Sequence, residues 1–148
     1  LFAISLYAGA RESQCDEEIC RLLGKIGYNI GVAFQIIDDI LDYNGGIESL
    51  GKNGQNDLKK GYYTLPLIYA LERDGQKYIS NILEKPQLTN KDIMEVIQFV
   101  RANEGIERAS KVAEAYTKKA FLYIEQLPIH ESSMLIKEAA SRLLVRNH

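Results

Sequence analysis

The sequence predicts an all-α protein, and three observations carry that prediction. Apolar residues recur every three or four positions through most of the chain, start and stop residues bracket those stretches, and no segment alternates with period two long enough for a strand. The 148 residues are 46% apolar and 26% charged, a globular mixture with room for a sizeable core. Eighteen basic and 20 acidic residues give a net charge of −2, which excludes a binder relying on bulk positive charge, so no nucleic-acid partner is expected. No apolar run is long enough for a membrane span, and the start lacks a basic-then-apolar signal region; no transmembrane segment is expected. Two cysteines, Cys15 and Cys20, are too few for a disulfide framework or a zinc ribbon. Both are expected on one helix, reduced and structural, in a reducing cytoplasm.

Leu1 to Ala10 reads as the tail of a helix already under way, because no cap residue precedes the apolar pattern. A turn is expected at Gly9 to Glu12, and Ser13 with Asp16 makes a capping-box-like start. From there to Tyr43 the residues Ile19, Leu22, Leu23, Ile26, Ile30, Ala33, Ile37, Ile40 and Leu41 fall within one arc of about 100°. Gly24, Gly27 and Gly31 interrupt this long amphipathic helix. Each costs about 1 kcal/mol against alanine, which calls for a packing or ligand reason. Residues Asn44 to Tyr63 read as a polar glycine-rich loop carrying Lys52, Lys59 and Lys60 around Asp57, and loops of that length in a compact helical domain are usually functional. Thr64 caps a short helix with Pro66 in its first turn and Asp74-Gly75 as its stop. Helices follow over Gln76 to Glu84, from Thr89 with Asp92 to a close at Gly105, over Ile106 to Leu127, and from Ser132 to about Val145.

The chemistry concentrates where the long helix ends. With Gln35 at 0°, helical rotation puts Asp38 at about 300°, Asp39 at about 40° and Asp42 at about 340°, on the side opposite the apolar arc. Like charges at this spacing repel, and the negative end of the helix dipole disfavours anions. A helix that accepts both penalties is expected to hold a cation. Hard oxygen ligands with incomplete coordination suit Mg²⁺, which keeps waters and bridges to phosphates. The lysines of the adjacent glycine-rich loop suit phosphate oxygens. Spacing alone is equally compatible with a solvated acidic face, although Ile36, Ile37, Ile40 and Leu41 woven between the carboxylates favour a partly buried cleft wall.

The string Gly31-x-x-Phe34-Gln35-x-x-Asp38-Asp39-x-Leu41-Asp42 resembles the second aspartate-rich motif of the trans-isoprenyl (polyprenyl) diphosphate synthases. Leu50-Gly51-Lys52, Asp57-Leu58 and Gly61-x-x-Thr64-Leu65-Pro66 resemble that family's next signature, and Leu1 to Ala10 resembles the helix before the motif. The resemblance covers the whole chain. It implies an isoprenoid-synthase-type helical bundle, of which residues 1–148 would be the C-terminal portion of a single domain. It also implies a prenyltransferase that condenses an allylic diphosphate with isopentenyl diphosphate. Asp38, Asp39 and Asp42 would bind Mg²⁺, Lys52 would contact the allylic diphosphate, Gln35 would face the allylic group, and Phe34 would border the isopentenyl diphosphate site. A homodimer is implied, or a heterodimer with a small subunit.

Three departures follow from the same resemblance. The family's first aspartate-rich motif and the Lys-Thr pair expected upstream of Leu1 are missing from these residues, so the chain alone is expected to be inactive. Tyr62 stands where many members carry a diphosphate-binding lysine, a role open to Lys60, and Gln55 stands where glycine is common. These departures leave room for a non-catalytic helical subunit. Tyr28, Gly27 and Gly31 either line a prenyl-chain tunnel or serve close helix packing. Tyr116, Phe121 and Tyr123 read as core or edge residues, Lys118 and Lys119 as a solvated face, His130 and His148 as solvated, and Arg142 and Arg146 as surface or a basic tail.

Overall fold

The computed structural model describes residues 1–44, 56–72 and 76–144, with the backbone alone at 56, 57 and 76. The described residues form helices and no strand, as the sequence predicts. In chain order these are α1 (Phe2–Glu12), α2 (Glu17–Asn44), α3 (Asn56–Lys59), α4 (Leu65–Leu71), α5 (Gln76–Leu83), α6 (Asn90–Ala102), α7 (Gly105–Ile124) and α8 (Glu131–Leu144). Lys52, Gln55, Arg146, His148 and the Asp74-Gly75 stop lie outside the described residues, as does the side chain of Asp57.

The first turn differs from the sequence expectation. Helix α1 continues through Gly9 to Glu12, and Ser13 closes this helix instead of opening the next. Gln14 takes a left-handed φ of 57°. Its N–H donates to the Arg11 carbonyl at 3.0 Å, and the Cys15 N–H donates to the Ala10 carbonyl at 3.1 Å. These two bonds are the Schellman arrangement, which satisfies carbonyls that the helix end leaves open. Cys15 therefore sits in the turn, exposed, while Cys20 is buried in α2 with its thiol donating to the Cys15 carbonyl.

The chain divides into two compact units, Leu1–Ile37 with Val112–His148, and Asp38–Lys111. In the first, Ile26, Ile30 and Ala33 of α2 pack with Ala120 and Ile124 of α7 and Ala140 and Leu144 of α8. Helix α1 lies close on α2. A Cβ on Gly27 would stand 2.4 Å from the Phe2 carbonyl oxygen, and one on Gly31 would stand 3.3 Å from the Phe2 ring. Helix packing thus accounts for both glycines. Tyr116, Phe121 and Tyr123 are partly buried against the same core, as read from the sequence.

In the second unit Tyr43, Leu58, Leu67, Ala70, Ile79, Ile82, Ile93, Val96, Ile97 and Val100 form the core. The capping box at Thr89 and Asp92 is present in full. Helix α6 does not close at Gly105, however. Asn103 caps it, Glu104 takes the left-handed φ of 56°, and Gly105 is the first residue of α7. A Cβ there would come within 2.3 Å of the Pro66 carbonyl oxygen, so this glycine serves contact with α4 and not a chain reversal.

Candidate functional site

The unit boundary falls within α2, with Phe34 and Gln35 in the first unit and Asp38, Asp39 and Asp42 in the second. Helix α2 runs unbroken through all five to Asn44, which is the condition the carboxylate stripe needs. Gln35 and Asp38 are exposed, and Asp39 and Asp42 are half-buried. Ile36, Ile40 and Tyr43 are buried between them. Ile37 and Leu41, placed by periodicity at the centre and edge of the apolar arc, are only half-buried. The buried side of α2 therefore rotates near its end, where Tyr43 joins the core of the second unit while Ile30 and Ala33 belong to that of the first. Phe34 is half-buried, its ring centroid 5.7 Å from that of Phe2.

Tyr43 is the residue that sequence reasoning missed. It is 2% exposed, and its hydroxyl shares a hydrogen bond with the Thr64 hydroxyl at 3.0 Å, tying the end of α2 to the start of α4. Thr64 accordingly makes no side-chain cap of its own helix. The backbone carbonyl of Tyr43 accepts from the Arg101 guanidinium, at 3.0 Å from Nε and 2.5 Å from Nη2. One of the open carbonyls of the α2 terminus is thereby met by a cation, where the helix dipole is negative. A tyrosine following the last aspartate was the available signal, read only as the end of the periodic stretch.

On the far side of residues 45–55, Leu58 of α3 is buried in the second core and anchors the short helix, whereas Lys60 and Tyr62 are exposed. The sequence reading of Asn44 to Tyr63 as loop is corrected here by α3. Pro66 and Leu67 are buried at the start of α4, so the Gly61-x-x-Thr64-Leu65-Pro66 string enters the core through its last residues.

The carboxylates on α2 supply hard oxygen donors alone. Among the described residues no three histidine, cysteine or acidic side chains gather around one ion-sized point. Hard oxygen donors of this kind suit a divalent cation. None of the described helices is long and apolar enough to cross a membrane.

Comparison with known proteins places this geometry in context. The polyprenyl synthetase family profile matches residues 1–100. Heptaprenyl diphosphate synthase component 2 of Bacillus subtilis is 37% identical over 128 residues, covering 86% of this chain and 36% of that protein. The crystal structure of geranylgeranyl pyrophosphate synthase from Lactobacillus brevis superposes with a TM-score of 0.87 at 33% identity, over 98% of this chain and 46% of that one. A geranylgeranyl pyrophosphate synthase from Corynebacterium glutamicum, solved with calcium and isoprenyl diphosphate, gives a TM-score of 0.80 at 26% identity, over 97% of this chain and 45% of that one. The chain thus spans between about a third and a half of the length of the relatives it matches. With the aspartate helix and the Thr64-Leu65-Pro66 start of α4 inside the profile match, the chain belongs to the polyprenyl synthetase family.

Proposed function

We propose that this chain is the C-terminal part of a Mg²⁺-dependent prenyltransferase, which joins an allylic diphosphate to isopentenyl diphosphate and releases a longer trans-polyprenyl diphosphate. The single observation that supports it most is the Gln35, Asp38, Asp39 and Asp42 stripe on an unbroken α2, in a member of this family. The neighbour solved with calcium and isoprenyl diphosphate supports the same reading.

Asp38, Asp39 and Asp42 would hold the metal through their carboxylate oxygens. When bound, Mg²⁺ supplies positive charge beside the diphosphate as it leaves the allylic carbon. Lys52 and Lys60 would donate to phosphate oxygens and share that neutralisation. The side-chain oxygen of Gln35 would face the allylic carbon, where positive charge develops. Phe34 would border the isopentenyl diphosphate. The C–O bond to diphosphate breaks, the alkene of isopentenyl diphosphate forms the new C–C bond, and a proton leaves to the released diphosphate.

A second reading is a helical subunit that binds a catalytic partner. Tyr62, exposed where the family resemblance leads one to look for a lysine, favours it, as does the naming of the Bacillus subtilis relative as a component. A prenyl-transfer assay with Mg²⁺ and allylic diphosphates of several lengths separates the two. The full-length protein containing this chain is expected to give product, and the 148-residue chain none. Absence of product from the full-length protein, with activity restored by a second subunit, would transfer the assignment to the partner-dependent reading.

A further inference from the structure

Apart from the aspartates, the first unit carries a groove of about 800 Å³ walled by α2 and α7. That is the size of a small-molecule site. Its lining holds three cations and no carboxylate. Arg21 is already shared with Glu17 at 2.9 Å. Lys25 and Lys119 pair with no carboxylate among the described residues; each stands over a ring, 5.8 Å from the centre of Tyr123 and 5.4 Å from that of Tyr116. Tyr28, 55% exposed, meets Tyr116 edge-on at 6.3 Å.

Two further features mark a prepared floor. Asn29 lines the groove yet is only 5% exposed; its amide N–H donates to the Lys25 carbonyl at 2.7 Å, and its Oδ1 receives no hydrogen bond from the described residues. A buried acceptor left open in this way calls for a donor. Gly24 is the second feature. A Cβ there would meet Tyr7 only at 3.6 Å, an ordinary contact, so packing does not require this glycine as it requires Gly27. The missing side chain opens the groove.

We propose that this groove binds a phosphorylated aromatic molecule of the mononucleotide class. The phosphate would lie between the Lys25 and Lys119 ammonium groups, a planar ring against Tyr28 and Tyr116, and an exocyclic amino N–H on Asn29 Oδ1. A prenyl chain fits the lining less well, since alkyl groups would strip water from two ammonium ions without compensation. Gly24 and Tyr28 lie on the same side of α2 as the aspartate stripe, about two to three turns earlier, so an Asp38→Asn control separates this site from the prenyl-transfer reading.

Isothermal titration of the full-length protein containing this chain with adenosine monophosphate tests it, beside adenosine, ribose 5-phosphate and geranyl monophosphate. Saturable binding is expected, with adenosine monophosphate about tenfold or more tighter than each of the other three. Replacing Lys25 and Lys119, both exposed, together by Ala should weaken it at least about tenfold with helical circular dichroism retained. Gly24→Leu should abolish it with helical circular dichroism retained, and Asp38→Asn should leave it unchanged. No saturable binding, equal binding of geranyl monophosphate, or indifference to the lysine pair would each overturn the proposal.

Discussion

Asp38 is exposed at the head of the stripe while Asp39 and Asp42 are half-buried, so it is the carboxylate most easily altered without disturbing packing. In the full-length protein Asp38→Asn keeps side-chain volume and removes the charge. Turnover is expected to fall by about 10²–10³-fold with far-ultraviolet circular dichroism unchanged, and undiminished turnover would sink the metal assignment. The glycines of α2 give a second contrast at this scale. Gly27→Ala forces a Cβ into the α1 backbone, whereas Gly24→Ala makes only ordinary contact. Urea unfolding should show the first destabilised by about 1–3 kcal/mol and the second stabilised by up to about 1 kcal/mol. Periodicity revealed that these glycines needed a reason. It did not reveal which had one, because that depends on how closely α1 approaches.

Among the elements, α6 shows how much of a helix start is written locally. Thr89 accepts from the Asp92 N–H at 3.2 Å, and the Thr89 N–H donates to Asp92 at 2.8 Å. Thr89→Ala is expected to cost about 1 kcal/mol in equilibrium unfolding. Asp92 adds a pH dependence. The Lys85 ammonium, 2.5 Å away, and then the Thr89 hydroxyl and backbone hold its carboxyl well below the ordinary aspartate value of 3.8. On acidification the unfolded chain takes up this proton first. The contribution is therefore complete above the ordinary aspartate range and is lost as pH falls below it. Unfolding free energies between about pH 6 and about pH 2 should drop more steeply for the native sequence than for Asp92→Asn.

Helix ends set by side-chain caps were legible, as at Thr89. Ends set by the backbone alone were not. The Schellman turn at Gln14 uses a non-glycine residue in the left-handed region, and the same is true of Glu104, so neither carries the glycine that usually announces it. Gly105 was consequently assigned a stop that Glu104 performs. Tyr43 escaped for a different reason: its hydrogen-bond partners Thr64 and Arg101 lie 21 and 58 residues away.

For the whole molecule, the all-α class followed from periodicity, and the family from motif order, because both are properties of the chain read along its length. The division after Ile37 was not legible, since α2 and α7 each run without a break from one unit into the other. Periodicity cannot register a change of core along a single continuous helix. Metal dependence is the prediction proper to this scale. Chelation of the full-length protein should abolish prenyl transfer, restoration by Mg²⁺ should return it, and helical content should hardly change, because each unit has a core of its own. Activity that persists after exhaustive chelation would remove the metal from the mechanism.

The last turn of α2 contains no basic residue, so the cation at its end is borrowed from α6 through Arg101. In genetic terms this makes position 101 a conditional site. An Arg101→Met allele, which leaves the Tyr43 carbonyl without its donor, is expected to pass unnoticed at low growth temperature and fail at high, 58 residues from the helix end it loosens.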